Sequence, residues 1–467
     1  NKQKLNALIT PELLTEVTSL VEWPVAQVGE FNKSFLEVPQ ECLITSMVAN
    51  QKYFAVVNNK NVLQPYFIFI SNIVSKNKKQ VILGNQKVLT ARLSDAQFFY
   101  NNDKNKTLDS NISKLANVTY QQKLGTLLDK TNRIKHLSES IAKLVEKTSP
   151  SKINHSSLAR AADLAKADLS TEMVYEFPEL QGIMGKYYAL KDGEDALTAE
   201  ALEQYYWPKF AGDKLPESVE ACCLAIADKL DTLVGIFAID QKPTGDKDPF
   251  GLRRSALGIL RILIEKELPL DLKKLIQLAS ENFQTRLNLD PVKQQQIIDQ
   301  CLQFCFERLK KYYLDQNISI NIFYAVSKTN TTSPLDFNHR MQAANDFLTL
   351  PEANNLIAAN KRVKNILNKQ DLKTLPQAIN SSHLKESVEV NLHQLLTNLN
   401  QTLLPLFSNQ DYKKILFNLA SLQKPIDDFF ENVMVNSEDL NLKNNRLLLL
   451  KNVQGLFNQV ADISELQ

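Results

Sequence analysis

The spacing of apolar residues changes along this chain and divides it into a β-containing first part and a longer helical part. Residues 42–57 (CLITSMVANQKYFAVV) and 66–73 (YFIFISNI) are rich in β-branched and aromatic side chains, and the polar residues 58–61 between them have turn composition. From about Ser94 onward the apolar positions recur at three- and four-residue steps, as on one face of a helix. The pattern predicts a mainly α protein with a smaller N-terminal α+β part.

Two apolar segments predict the centres of later helical domains. Residues 221–235 (ACCLAIADKLDTLVG) are apolar nearly all round, which is typical of a helix buried in a domain core. A long apolar stripe at 384–403 ends near Pro405, and two more amphipathic helices are predicted at 412–434 and 442–460. The end of the chain is therefore predicted to be a helical bundle.

Proline-containing polar stretches at 329–334 and 368–382 mark domain boundaries. The predicted domains, in chain order, are an α+β domain at 1–115, a helical domain at 116–330, a helical linker at 331–382 and a helical bundle at 383–467.

Composition favours a folded, soluble protein in a reducing compartment. The 467 residues are 44% hydrophobic and 23% charged, and no stretch approaches the ~20 apolar residues needed to span a bilayer. The five cysteines have no C-x-x-C spacing, which argues against disulfides or a zinc site and favours the cytoplasm. The start of the chain lacks a signal pattern and a methionine, so we expect it to begin inside a longer protein.

Carboxylates inside the apolar segment are the first candidate for chemistry. Asp228 and Asp231 lie three residues apart on one predicted helix face, where a buried carboxylate needs a partner. One interpretation is a metal or phosphate site shared with Asp168. The other is a core ion pair with Arg253 or Arg254, in which case Arg254→Ala should destabilise the fold by roughly 3 to 5 kcal/mol. The histidines are scattered, and none is assigned to a metal.

A basic helix is the second candidate. Residues 361–373 contain Lys361, Arg362, Lys364, Lys369 and Lys373 against a single acid, Asp371. A phosphate-gripping face is one interpretation, and a solvated helix face is the other, because the whole of 331–467 has 13 basic and 14 acidic residues. The net charge of +2 is near balance, so any binding of nucleic acid must depend on local basic patches.

Several long strings are more specific than spacing alone explains. The central strings are RAADLAKADLSTEMVYEFPELQGIMGKYYAL, AIADKLDTLVGIFAI and KPTGDKDPFGLRRSALGILRIL, between residues 160 and 263. The others are NQKYFAVVN, GNQKVLTARLSDAQFF and LGTLLDKTNRI upstream, and PLDFNHRMQAANDF, AANKRVKNIL and NRLLLL downstream. In this order, over almost the whole chain, they resemble the C-terminal two-thirds of the beta subunit of the bacterial two-subunit glycyl-tRNA synthetase.

The resemblance implies a subunit of an aminoacyl-tRNA synthetase. Such enzymes contain two alpha and two beta subunits, and the alpha subunit makes glycyl-adenylate, so ATP and magnesium are expected there and no cofactor is expected in this chain. The beta subunit is expected to bind and orient tRNA(Gly) for the transfer of glycine. The N-terminal region of the family is expected to be missing here, and no membrane contact is expected.

The resemblance also implies the folds of the later domains. Residues 116–330 are expected to be similar to the HD phosphohydrolase fold, and residues 383–467 to the anticodon-binding domain of arginyl- and cysteinyl-type synthetases. In active HD enzymes a His-Asp doublet helps to bind a metal, but the matching doublet here is Ala167 and Asp168, so metal binding is expected to be lost. The predicted remnant of that site, or its core ion pairs, comprises Asp168, Asp228, Asp231, Arg253 and Arg254.

Candidate tRNA contacts follow from the same resemblance. The predicted contacts with the tRNA backbone are Arg340, Lys361, Arg362 and Lys364. The predicted contacts with the anticodon stem-loop are Lys443, Asn444, Asn445 and Arg446. For each of these side chains the alternative is an ordinary solvent-facing or intramolecular contact. Two rival functions are a metal-dependent phosphohydrolase of the HD type and a tRNA-binding assembly protein with no part in aminoacylation.

Overall fold

The computed structural model describes residues 5–372 and 375–466. The chain divides into two units: the first comprises 1–143 with 151–231, and the second comprises 144–150 with 232–467. The strands are β1 (Leu5–Ala7), β2 (Val25–Glu30), β3 (Phe54–Asn58), β4 (Leu63–Ser71), β5 (Thr119–Gln121) and β6 (Gly125–Thr126). Most other described residues are helical, so the predicted fold class, mainly α with a small N-terminal α+β part, is confirmed.

The helices are numbered α1 to α20 in chain order. The earlier ones are α1 (Pro11–Leu20), α2 (Gln40–Gln51), α3 (Lys78–Lys104), α4 (Leu127–Thr148), α5 (His155–Leu164), α6 (Glu172–Glu176), α7 (Ile183–Lys191), α8 (Ala196–Gln204), α9 (Val219–Ala238) and α10 (Leu252–Glu265). The later ones are α11 (Leu272–Glu281), α12 (Gln284–Leu287), α13 (Pro291–Leu314), α14 (Ile320–Ser327), α15 (Pro334–Phe347), α16 (Ala353–Leu367), α17 (Ser387–Ser408), α18 (Tyr412–Leu419), α19 (Gln423–Asn432) and α20 (Leu440–Asn458). Within the described residues, none of the helices has the length and apolar character required to cross a bilayer.

The N-terminal sheet is antiparallel, with the strand order β1-β3-β4-β2. Alternate residues of β4 point to opposite faces, as the strand period requires. Leu63, Phe67 and Phe69 are buried in the main core of the first unit, where the rings of Tyr53 and Phe67 stack with centroids 4.9 Å apart. The other face of the sheet carries α1. Strands at 54–58 and 63–71 confirm the β-containing unit that the sequence predicts.

The first half of the predicted β segment 42–57 is helical instead. Residues 40–51 form α2, which begins directly after Pro39 and buries Cys42, Leu43 and Met47. Leu43 and Met47 are four residues apart and Cys42 is next to Leu43, which suits one helix face. A short apolar run does not distinguish a strand from a buried helix, and here the packing against α3 decides.

The second unit ends in a helical bundle. Within it α17 contacts α18, α19 and α20, while α16 contacts α19 and α20. The predicted apolar stripe is buried at Leu392, Leu399 and Leu403, but the helix continues through Pro405 to Ser408. Proline removes only one backbone N–H there, near the helix end.

A cluster of buried ion pairs lies at the centre of the first unit. Asp231 accepts from Arg133 Nε at 2.6 Å and from Lys130 Nζ at 3.0 Å. Asp228 lies 3.0 Å from Lys130 Nζ and 2.9 Å from Lys166 Nζ. The two lysines and two carboxylates therefore join α4, α9 and the bend after α5.

The charges in this cluster hold one another ionised. Burial favours the neutral acid, but Lys130 and Lys166 keep the pKa of Asp228 well below its usual range. Burial likewise opposes the charge of Lys130, but Asp228 and Asp231 outweigh it and raise the pKa of that lysine. Lys166 has fewer carboxylates nearby than Lys130, so the effect of burial dominates and lowers its pKa. Its ammonium instead lies over the rings of Tyr205 and Tyr206, 4.7 and 4.3 Å from their centroids.

Asp168 and Lys229 connect the cluster to neighbouring backbone. The Asp168 carboxylate accepts from the Gly182 N–H at 2.5 Å, at the start of α7, where an anion is stabilised by the helix dipole. Burial nonetheless raises the pKa of Asp168. Lys229 donates to the carbonyls of Tyr205 and Trp207 at 3.1 and 2.8 Å, and burial lowers its pKa to about 8. These contacts hold the segment that joins α8 to α9.

The predicted pairing of Asp228 or Asp231 with Arg253 or Arg254 is wrong. The observed cationic partners of the two carboxylates are Lys130, Arg133 and Lys166. Helix α10 buries Leu252, Ala256 and Ile259, among others, and this turns Arg254 to the exposed side. Arg253 is half-buried and donates to the carbonyl of Gly245.

We expect Asp231→Ala to destabilise the first unit by about 3 to 5 kcal/mol, because it leaves two buried cations undercompensated. Arg254→Ala is the control and should change stability by no more than about 0.5 kcal/mol, since its side chain is exposed. Both tryptophans, Trp23 and Trp207, lie in the first unit, so urea unfolding followed by tryptophan fluorescence reports on it. Equal unfolding midpoints for the two variants would contradict this account of the cluster.

Candidate nucleic-acid interface

A basic groove runs along the exposed side of α16 in the second unit. It has a volume of about 540 Å³. The lining residues are Ala358, Lys361, Arg362, Asn365, Ile366, Lys369, Gln370 and Asn436. Those on α16 and just after it recur at three- and four-residue steps, so they lie along one helix face, and Asn436 faces them from the loop between α19 and α20. We call this set the α16 groove.

Arg362 is positioned in the α16 groove by stacking on an aromatic ring. Its guanidinium lies over the ring of Phe430 on α19, with the guanidinium carbon 4.1 Å from the ring centroid. Stacking leaves the N–H edges of a guanidinium available, and it reduces the conformational freedom that a ligand would otherwise have to remove. Arg362 is exposed, so these donors are accessible from solvent.

The rest of the α16 groove adds charge and adaptable hydrogen bonding. Lys361 and Lys369 are exposed on the same side as Arg362, and no carboxylate is among the lining residues. Asn365, Gln370 and Asn436 carry amides that both donate and accept. Cations for phosphates and amides for base edges are the donor set expected of a surface that binds single-stranded RNA.

Lys364 does not belong to the α16 groove, although the sequence predicts it as a contact with the tRNA backbone. Its ammonium lies 2.9 Å from Asp462 and 2.6 Å from Glu465. Although partial burial opposes it, these two carboxylates raise the pKa of Lys364. The opposite face of α16 is packed inside the unit, and Lys364 lies on the side that meets the chain end at 462–465.

Arg340 is likewise occupied inside the second unit. It lies 2.8 Å from Asp336, donates to the hydroxyl of Tyr412 at 2.8 Å, and also donates to the carbonyl of Gln459. Its guanidinium also stacks on the Tyr412 ring at 4.2 Å. Arg340 therefore joins α15, α18 and the end of α20, and the prediction that it contacts RNA is corrected to a packing role.

The predicted anticodon contacts at the start of α20 separate into two pairs. Arg446 is buried, with Nε 2.6 Å from Glu389 and an N–H donating to the Met434 carbonyl. Asn445 is also buried and exchanges hydrogen bonds with the backbone of Asn380. These two side chains fix loops, which agrees with the intramolecular alternative rather than with a contact to RNA.

Lys443 and Asn444, the other predicted anticodon contacts, are half-buried. They stay predictions. Lys373, which belongs to the basic run in the sequence, lies outside the described residues.

The carboxylates predicted as the remnant of an HD-type site have partners within the protein itself. Asp228 and Asp231 are paired with lysine and arginine, and Asp168 accepts from the start of α7. Over 5–372 and 375–466, no three His, Cys, Asp or Glu side chains are placed to hold a metal ion. The donor set therefore does not fit a divalent cation, which prefers several carboxylate or imidazole ligands together.

Sequence reasoning missed several members of both sites. The partners Lys130, Arg133 and Lys166 are about 60 to 100 residues from the aspartates they neutralise, and only the apolar setting of Asp228 and Asp231 indicated that such cations must exist. Phe430 and Asn436 come from beyond α17, and no local pattern connects them to α16. The signal that did indicate Arg362 was local, namely the excess of basic residues over acidic ones at 361–373.

Comparison with known proteins gives two family matches. Residues 1–328 match the family model described as "Glycyl-tRNA synthetase beta subunit". Residues 356–464 match the model described as "DALR anticodon binding domain". The second match includes most of α16, so the α16 groove lies in a segment that is similar to anticodon-binding domains. The predicted domain boundary at 383 stays a prediction.

Curated relatives agree with both matches. The glycine–tRNA ligase beta subunit of Coxiella burnetii (strain Dugway 5J108-111) is 48% identical over 463 residues, which are 99% of this chain and 66% of that relative. That of Psychromonas ingrahamii is 49% identical over 458 residues, 98% of this chain and 65% of the relative. The chain thus spans about two thirds of the length of these relatives. The predicted family resemblance is confirmed: the chain belongs to the family of glycyl-tRNA synthetase beta subunits.

Proposed function

We propose that this chain is the tRNA-binding part of a glycine–tRNA ligase beta subunit. It binds tRNA(Gly) and positions it for ATP-dependent glycylation at an active site on another chain, the alpha subunit. The observation that carries the proposal is the α16 groove, which combines Lys361, Arg362 and Lys369 with three amide side chains inside the segment similar to anticodon-binding domains.

The physical basis of the proposal is local charge. The whole chain carries a formal charge of +2, which is too small to attract RNA over its entire surface. Three exposed cations along one helix face can each neutralise a phosphate and release its counterions. The amides and the stacked guanidinium then allow base edges to be read where the RNA is single-stranded. The α16 groove is thus suited to an unpaired stretch of tRNA.

The proposal includes partners that this chain does not contain. The alpha subunit is proposed to supply glycyl-adenylate, with ATP and magnesium bound there, in an assembly of two alpha and two beta subunits. The cytoplasm is the proposed location, because all five cysteines are buried and none is in a disulfide, as is usual in a reducing compartment.

The two rival functions have less support. A phosphohydrolase of the HD type would need metal ligands where this chain has the ion pairs of Asp228 and Asp231. An assembly protein with no part in aminoacylation would share the α16 groove, and only an activity measurement separates it from the proposal.

We expect the triple variant Lys361→Ala, Arg362→Ala, Lys369→Ala to bind tRNA(Gly) at least about tenfold more weakly at moderate salt. The slope of log Kd against log salt concentration should fall by about 2, because each phosphate contact contributes roughly 0.7 to 0.9. Fluorescence anisotropy with labelled tRNA(Gly) gives both quantities. The matched control removes three exposed lysines elsewhere: Lys33→Ala, Lys60→Ala, Lys274→Ala. Equal losses in the two triple variants would show that the α16 groove is not the binding surface.

The activity test measures glycylation of tRNA(Gly) by a purified alpha subunit with and without this chain. Stimulated charging that the α16 triple variant loses is the expected result, because a misplaced tRNA cannot reach the adenylate. A full-length beta subunit from one of the relatives is the positive control. Suppose that this chain binds tRNA(Gly) and that the positive control is charged, but that this chain does not stimulate charging. That result would favour the assembly-protein function over the proposed one for this part of the subunit.

A further inference from the structure

The outer face of the N-terminal sheet is apolar and only partly covered. On β2 and β4 the residues that point away from the main core include Ala26, Val28, Ile68 and Ile70, and the register places Val28 opposite Ile68 and Ala26 opposite Ile70. The ten-residue helix α1 lies over part of this face and buries Leu13, Val17 and Phe54. Beside α1 an apolar groove of about 450 Å³ remains open.

Ile9 lines that groove, and the exposed residues Trp23 and Val28 are close in sequence to its lining residues Pro24 and Ala26. Trp23 is 68% exposed, and Ile9 and Val28 are each 58% exposed. The position of Trp23 is fixed, because the Asn72 side chain accepts from the N–H groups of Glu22 and Trp23 at 2.8 and 2.9 Å. That contact places Trp23 beside Ile73, which is also strongly exposed. Clustered exposed side chains of this size, with a fixed tryptophan among them, are typical of a protein–protein interface.

The segment that contains α1 and β2 is acidic. From residue 5 to residue 32 the chain has no lysine or arginine and has four glutamates. Glu16 pairs with Lys52 at 3.0 Å. Glu12, Glu22 and Glu30 are exposed, and none of them forms an ion pair within 5–372 or 375–466. An acidic rim repels RNA phosphates and anionic membranes, and it attracts a protein surface edged by basic residues.

We propose that this outer face docks the partner subunit of the ligase, through an apolar surface of that subunit edged by lysine or arginine. The inference rests on the proposed function for the identity of the partner. It adds which surface of this chain the partner contacts, and it places tRNA and partner on different units, because the α16 groove belongs to the second unit. Trp23 and Val28 are the central contacts, and the three glutamates set the orientation.

The test uses purified alpha subunit as the probe and biolayer interferometry as the readout. Val28→Glu and Trp23→Ala are each expected to weaken association by about tenfold or more, as for central interface residues. Val62→Glu is the matched control, because Val62 is 50% exposed in the turn before β4, away from the outer face, and should change affinity less than about twofold. Glu12→Lys with Glu22→Lys and Glu30→Lys should slow association and reduce its dependence on salt.

Two controls separate the possible failures. Melting temperature and tRNA(Gly) affinity, measured on every variant, show whether the variant folds. If the wild-type chain binds tRNA(Gly) but the alpha subunit binds equally to wild type, Val28→Glu and Trp23→Ala, or does not bind at all, the docking surface is overturned while the RNA-binding proposal stands. If sedimentation shows that the chain dimerises and that Val28→Glu abolishes the dimer, the occupant is a second copy and the proposal is overturned. If wild type binds neither tRNA nor the alpha subunit, the proposed function itself fails.

Discussion

The first unit depends on the neutralisation of two carboxylates that its most apolar helix carries into the core. Asp228 and Asp231 could be removed from water only because Lys130, Arg133 and Lys166 enter with them. Each ion would cost several kcal/mol to bury alone, so the partners must meet for the unit to fold at all. The cluster thereby fixes the position of α4 against α9, and the contacts of Lys229 and Asp168 extend that order to the loops on either side.

Arginines that form internal ion pairs have the corresponding role in the second unit. Arg340 connects three elements through Asp336, Tyr412 and the end of α20, while Arg446 is paired with Glu389. These arginines and Lys364 are engaged internally, whereas Lys361, Arg362 and Lys369 line the open side of α16. This local concentration of cations is what makes the α16 groove the proposed RNA surface of a nearly neutral chain.

The sequence was sufficient where the information was local. The apolar character of 221–235 predicted a buried helix, and the stripe at 384–403 predicted α17. Even the need for cationic partners at Asp228 and Asp231 could be deduced, because buried charge has few solutions. The error at 42–51 arose where a short apolar run suits a helix and a strand equally, so the neighbouring α3 decided the outcome.

The sequence was insufficient where function depends on which face of a helix is covered. Helical spacing put Lys361 and Lys364 together, but packing against residues 462–465 separates them. Arginine is the residue type expected to contact RNA, but Arg340 and Arg446 form internal contacts instead. Nothing in the local sequence distinguishes an arginine that faces a phosphate from one that faces Glu389. Phe430 could be connected with Arg362 only by the fold.

The most direct measurement is lysine footprinting of the chain with and without tRNA(Gly), using an amine-reactive reagent and mass spectrometry. The account predicts that tRNA strongly protects Lys361 and Lys369. Lys364 is already paired with Asp462 and Glu465, so it should react slowly and equally in both samples. The reactivity of Lys33 and Lys60, which belong to the first unit, should also be unchanged by tRNA. Unaltered reactivity of Lys361 and Lys369 under saturating tRNA, with protection appearing elsewhere, would contradict the claim that the α16 groove binds RNA.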